Sequence, residues 1–315
     1  MLSFLVRRLA GLAVTLLATA LVVFVVLEIL PGDPAAVILG VSATPETVAA
    51  LRTEFGLDLP APERFIRWIG GLLTGDLGTS YGYRVPVAQL IAERLQVTLP
   101  LAFAAILLAT LVGVPLGMLA ASRPRGLRDA GVMVFAQAGL ALPDFWVGIL
   151  LVLAFAIGLH WLPSGGFPGW DAGLGPALAS LVLPVIALAL PQAAILARVT
   201  RSATLEALQE DWVRTARAKG LGAAATLYRH VLRNALVPVV TMLGVRFSFM
   251  IAGAIIIEDV FSLPGLGRLM FQAIGQHDII VVKDLVVVFA ALVVGINFLV
   301  DIAYGIVDPR LRRRA

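Results

Sequence analysis

The sequence predicts an all-α membrane protein with six transmembrane helices and both termini in the cytoplasm. Three observations predict it: a mean hydropathy of +0.96, six apolar runs of membrane-spanning length, and cations gathered on alternate connections. With 60% hydrophobic and 14% charged residues, a chain of 315 residues carries more apolar surface than one soluble core hides from water. A helix needs about 20 apolar residues to cross roughly 30 Å of hydrocarbon. Runs of that length lie near 9–30, 97–121, 130–159, 177–197, 235–257 and 282–306. The first follows Arg7 and Arg8 in the manner of a signal peptide, but no small-x-small cleavage pattern closes it, and it reads as a retained helix.

Orientation follows from the 24 Lys and Arg residues. With both termini inside, sixteen of them fall on inside connections: Arg7 and Arg8, three from Arg123 to Arg128, seven from Arg198 to Arg233, and four beyond residue 306. Six fall on outside segments. The positive-inside rule then places the terminal segments and the 201–233 loop in the cytoplasm. The sequence pI of about 9.9 is therefore a membrane-orientation signal and gives no reason to expect nucleic acid.

One long outside insertion, 31–96, interrupts the spans. Thr44 before Pro45 reads as an N-cap with proline at the first helical position. Val48, Leu51 and Phe55 line one side of that helix, and Gly56 stops it. A second amphipathic helix, 62–73, carries Phe65, Trp68, Ile69 and Leu72 on one face, and a third begins at Pro86 and leads into the second span. Two roles stay open for the insertion, a cap lying on the membrane and a docking surface for an external partner. The chain, 1–315, otherwise reads as one transmembrane domain.

Several chemistries are excluded by residue type. There is no cysteine, hence no disulfide, thiolate metal site or cysteine nucleophile. Both lysines, Lys219 and Lys283, follow residues other than glycine, so no Gly-Lys-Ser/Thr loop exists to cradle nucleotide phosphates. His160, His230 and His277 are scattered, without a His-Glu-x-x-His pair for zinc. Glu28, Asp144 and Asp301 lie within or beside spans but share no motif.

Between the fourth and fifth spans the apolar pattern breaks into "DWVRTARAKGLGAAATLYRHVLRNALVP", residues 211–238. Helix-forming stretches at 205–208, 211–219 and 223–233 are separated by Gly220 and Gly222, which turn at low steric cost. A basic interfacial helix on anionic lipid is one reading. The other is a protein contact, because the cations alternate with small residues, Thr215, Ala216, Ala218 and Ala223, that present a compact surface.

These residues resemble the signature loop of ABC importer permeases in the dipeptide, oligopeptide and nickel subfamily. Arg214, Thr215 and Ala216 stand in the Glu-Ala-Ala places of the general pattern and Gly220 in the Gly place; Arg233 falls where a proline is usual. The blocks "LPGDPA" (30–35), "ALPDFW" (141–146), "EDVFSLPGLGRLM" (258–270) and "DIAYGIVDPRLR" (301–312) are similar to the same subfamily in the same order, and the long insertion resembles the first of its two permeases. The resemblance implies a type I importer permease fold and no enzyme activity in this chain. It also implies a homologous second permease, two cytoplasmic ATPase subunits that bind ATP and Mg, and an extracytoplasmic substrate-binding protein, at the bacterial inner membrane. Asp211, Arg214, Thr215, Ala216, Arg217, Lys219, Gly220 and Leu221 would then form the ATPase contact, and peptides would be the cargo. An ion-coupled secondary transporter is the alternative, since Pro184 and Pro191 interrupt one span; a membrane enzyme is a third reading.

Arg246, midway along the fifth span, is costly in lipid and calls for a polar interior or a partner. Either it pairs with Glu28, Asp144 or an acid of the second permease, or it lines a translocation path with Met250 and Gly253 on its helix face.

Overall fold

The computed structural model describes residues 2–29, 33–40 and 43–307. Its elements are helical, chiefly α with short π and 3-10 stretches, with one isolated bridge between Thr79 and Pro86 and no longer β pairing among the described residues. They divide into two compact units. The first draws on 1–97 and 264–295, the second on 98–263 and residues from 296 onward.

In the first unit the apolar helix α1 (Leu2–Ile29) is followed by short helices whose ends are written in side chains. Asp33 caps α2 (Pro34–Leu39) by accepting from the Ala35 N–H at 3.0 Å. Thr44 and Thr47 form a reciprocal capping box on α3 (Pro45–Glu54), and Gly56 at φ 65° lets the chain reverse after it. The expected N-cap, first-turn proline and glycine stop are thus all present. Helix α4 (Ala61–Thr74) lays the expected face inward: Phe65, Trp68, Ile69 and Leu72 pack with Ala20 and Phe24 of α1 and with Val287.

Two further helices complete this unit, α12 (Leu266–Gly275) and the early turns of α13 (Ile279–Val307). Leu266, Leu269 and Ala273 close on Val87, Leu90 and Ile91 at the start of α5 (Val87–Ser122) and on Val281 and Leu285. Asp278, fully buried, ties the loop before α5 to the start of α13. Its Oδ2 accepts from Ser80 Oγ at 2.5 Å and from the Gly82 N–H at 3.0 Å, and its Oδ1 from the Val281 N–H at 3.4 Å.

The second unit is organised around α8 (Leu174–Gln209), which packs against α6 (Leu127–Ala141), α7 (Asp144–Leu151) and α11 (Leu232–Val260). Glycines allow this: a Cβ on Gly113 would lie 2.7 Å from the Ala193 carbonyl oxygen, one on Gly117 2.5 Å from that of Ala197, and one on Gly139 2.4 Å from Ala194 Cβ. Lipid gives helices no hydrophobic reason to associate, so close backbone contact through small residues takes that role.

Among the described residues, five helices are long and apolar enough to cross a membrane, within 6–29, 87–122, 174–209, 223–260 and 279–300. The third expected span, 130–159, is not one straight helix: α6 and the α7 segment meet at 103°. Pro143 is the cause. It forces Leu142 into extended backbone at ψ 126° and has no N–H to continue the ladder. Beyond α7 the chain continues as a π-helix, Val152–Gly158. Pro184 and Pro191, by contrast, sit inside a continuous α8.

The glycine contacts predict a paired outcome. Gly117→Val should disrupt packing by about 1–3 kcal/mol, as overpacking does, whereas Gly131→Val, with no neighbour within 4 Å of its Cβ, should not. Monodisperse protein remaining after graded heating in detergent measures both; equal survival would contradict the packing.

Candidate functional site

Helix α8 runs three turns past the expected end of its span, absorbing the 205–208 stretch, and stops at Glu210, whose ψ of 145° turns the chain out of helix. Helix α9 (Asp211–Ala218) follows at once. Asp211 in its first turn and Arg217 in its last complement the helix dipole. Val213 alone is buried, at 1% exposure, against Met118 of α5 and against Leu227 and Val231. Ala216 and Leu221 are half-buried, while Asp211, Trp212, Arg214, Thr215, Arg217, Lys219 and Gly220 face outward. The Arg214–Asp211 pair at 3.4 Å is exposed at both ends and adds little to stability.

The turn is closed by backbone bonds from Gly220 N–H to Arg217 O at 2.9 Å and from Leu221 N–H to Ala216 O at 3.3 Å. Gly220 has φ 87° with open space around it, so glycine is required there for backbone conformation and not for room within this chain. Beyond Gly222 the expected second helix is not separate: α10 (Ala223–Ala225) runs through a π-helical stretch, Thr226–Val231, into α11.

Within α11, Arg246 is half-buried, with its Nε buried and unpartnered and its guanidinium 5.6 Å from the Phe249 ring centre. Neither intrachain acid named for it is joined to it. Glu28 is ion-paired with Arg64, and no ion pair joins Arg246 to Asp144 among the described residues. Asp144 and Gly253 do meet, since a Cβ on Gly253 would lie 3.1 Å from Asp144 Oδ2. Met250, at 1% exposure, packs into the chain and does not share an open face with Arg246. The side chain of Asp301 lies outside the described residues, as do 30–32 and 308–312 of the quoted blocks.

The first unit holds a cavity of about 1330 Å³ beside Phe24, Glu28, Arg52, Arg64, Trp68 and Lys283. Its charges are largely spent on one another: Arg52 reaches Asp33 at 2.9 Å and Asp58 at 3.2 Å, and Arg64 pairs with Glu28. Outside the spans, hydrogen bonds from Thr53 and Arg52 hold the Asp58 carboxyl below its usual range.

Some buried polar partners escaped the sequence. Asp129 accepts from Arg201 Nε and Nη2 at 2.5 and 2.7 Å. Thr98 Oγ1 donates to the fully buried Glu258 at 2.6 Å, and Trp68 Nε1 to Asp284 at 2.6 Å. Each acid stands within or beside an apolar run, which was the available signal; the partners are too distant in sequence to have been matched.

Comparison with known proteins bears on this geometry. The family described as binding-protein-dependent transport system inner membrane component matches residues 113–313, and its N-terminal counterpart matches 1–102. A protein of Sinorhizobium fredii named as a peptide ABC transporter permease, y4tP, is 40% identical over 98% of this chain and 99% of its own. A peptide transport system permease of Brucella abortus is 44% identical over 99% of both chains. The glutathione transport system permease GsiC of Salmonella paratyphi A is 39% identical over 99% of both. An inward-facing structure of the MetNI methionine ABC transporter aligns with 70% of this chain and 97% of its own at TM-score 0.56 and 20% identity, a likeness of fold. The chain therefore belongs to the binding-protein-dependent inner membrane components, the multi-pass permeases of ABC transporters.

Proposed function

We propose that this permease imports peptides with a homologous second permease, and that residues 211–221 seat on one of two ATPase subunits bound beneath it. ATP and Mg belong to those subunits, a binding protein outside delivers the cargo, and the chain itself catalyses no reaction. The carrying observation is the state of α9. One residue, Val213, anchors it, and the remaining side chains of the helix are exposed or half-buried on a short helix that follows α8 after a single break at Glu210. Small residues between the cations suit a protein cleft. Closure of the ATPase pair on ATP would move this helix as a body. Peptide cargo is favoured by the names of the peptide and glutathione permeases similar to it over nearly the whole chain.

The scheme takes six spans, with the bent α6–α7 pair as the third, both termini inside, 31–96 outside and 201–233 in the cytoplasm. The chain reads as one permease domain of type I importer fold in the bacterial inner membrane.

Ala216 gives the sharpest test of the contact because, unlike Gly220, its backbone is helical and tolerates any side chain. Ala216→Glu should insert normally, capture less ATPase subunit on purification and cut uptake by about tenfold, equivalent to roughly 1.4 kcal/mol of lost contact. Gly220→Ala reports the cost of φ 87° by itself. Undiminished capture and uptake in both Ala216→Glu and Gly220→Glu would sink the contact.

Topology is read independently by cysteine labelling, with no native background. Thr53 and Ala224 are both exposed. Thr53→Cys should react with an impermeant maleimide added to intact spheroplasts, and Ala224→Cys only after lysis; the reverse pattern inverts the scheme.

Arg246, Asp144 and Gly253 are assigned to the translocation path, with Met250 packed behind them. A half-buried arginine in a span, with its Nε buried and unpartnered, suits an anionic group, and a peptide carboxylate supplies one. Arg246→Ala should keep ATPase capture while uptake falls about tenfold, and Arg246→Lys should retain part of it. Lost assembly in Arg246→Ala, restored by adding Asp144→Asn, would make the residue structural.

A further inference from the structure

We propose that Asp129 and Arg201 are positioning residues for transport: their ion pair fixes α8 to the turn between α5 and α6, so that displacement of α9 reaches the membrane-spanning helices. This rests on the reading of 211–221 as the ATPase contact.

The pair joins helices at a mechanically chosen place. Arg201 lies eight residues before the end of α8, about 12 Å along a rigid helix, and α9 starts two residues beyond that end. Asp129 stands in the first turn of α6. Its side chain is 6% exposed and that of Arg201 23%. Both carboxylate oxygens are engaged, one by Nε at 2.5 Å and the other by Nη2 at 2.7 Å, the planar fork that only arginine offers. A third donor is the Arg125 N–H, which reaches Oδ2 at 2.8 Å from a backbone held at φ 63°. A strained non-glycine residue persists where its surroundings over-determine it.

The contact is three-sided. A Cβ on Gly117 of α5 would lie 2.6 Å from Thr200 Cβ and 3.0 Å from the Arg201 nitrogen, so α5 presses on the same turn of α8 that Asp129 grips from α6. If Asp129 only complemented the α6 dipole it would need no arginine. What Arg201 adds is the cross-link to α8. The exit arm of the loop is tied differently, by the apolar contacts of Leu227 and Val231 with Val213 and Met118. A push on α9 therefore meets a directional, charge-assisted joint on the entry side and non-directional apolar packing on the exit side.

The test uses the whole complex in proteoliposomes, with its binding protein and with radiolabelled trialanine and glutathione as probes, and reads ATP hydrolysed per peptide imported. Asp129→Asn and Arg201→Met should raise that ratio about tenfold, inside the 5- to 150-fold range of typical coupling energies, while ATPase capture stays at the unmodified level. Arg201→Lys keeps the charge but not the fork and should raise the ratio by a smaller factor, which guards against misfolding of the harsher variants. Hydrolysis and import falling together at constant ratio in Arg201→Lys would show a joint that merely holds the fold, and an unchanged ratio in all three variants would show no role; either overturns the proposal. Failure of the underlying contact appears separately, as undiminished ATPase capture by Ala216→Glu.

Discussion

Close backbone approach onto α8 is the constraint on which the second unit depends. Gly113 and Gly117 of α5 and Gly139 of α6 bring their backbones against Ala193, Ala197 and Ala194 at separations that no side chain could occupy. Water drives apolar faces together in soluble bundles; lipid does not, so these helices rely on dispersion over closely fitted small residues. The same contacts account for the two prolines tolerated in α8. A helix packed against α6, α7 and α11 is held in place around Pro184 and Pro191 by its neighbours. Pro143 has a different outcome because an extended Leu142 precedes it and a new helix starts immediately after.

Polar burial follows a consistent logic in both units. Asp278 with Ser80 and Gly82, Glu258 with Thr98, and Asp284 with Trp68 are each a carboxyl group paired across helices or loops far apart in the chain. A buried carboxyl group without such donors would cost several kcal/mol, about the net stability of a domain. With donors, it fixes register among helices whose apolar faces would slide with little penalty. Arg246 shares a buried, unpartnered Nε with Arg64 and Arg94, but it stands midway along a span, and that position is the physical reason to look beyond this chain for what completes it.

Local signals carried much of the architecture. Thr44, Pro45 and Gly56 bounded α3, the Phe65, Trp68, Ile69 and Leu72 stripe identified the buried face of α4, and Gly220 and Gly222 marked the turn between α9 and α10. Each is a property of a few neighbouring residues. The length of α8 was not legible, because hydropathy marks where a helix meets lipid and not where its backbone ladder ends. The bend before Asp144 was hidden inside a run of spanning length, in which one proline decides the geometry. The pairing of Arg201 with Asp129 could not be read at all, since the two residues are 72 positions apart and meet only after α6 has packed on α8.

The two arms of the 211–221 loop differ in a way that follows from helix geometry. Helix α8 enters it as a regular α-helix, in which each N–H bonds four residues back and axial displacement passes along the rod with little loss. The exit arm leaves through six residues of π-helix, Thr226–Val231, whose wider turns bond five residues back and are rare in helices. Returning such a segment to α geometry would rotate everything beyond it by about one residue, near 100° at 3.6 residues per turn. The two arms of the loop therefore differ in kind, one an α-helix gripped by its neighbours and the other a π-helical stretch. Arg246 and Gly253 stand beyond that stretch on α11, so a change in its hydrogen-bond register would turn the face that carries them.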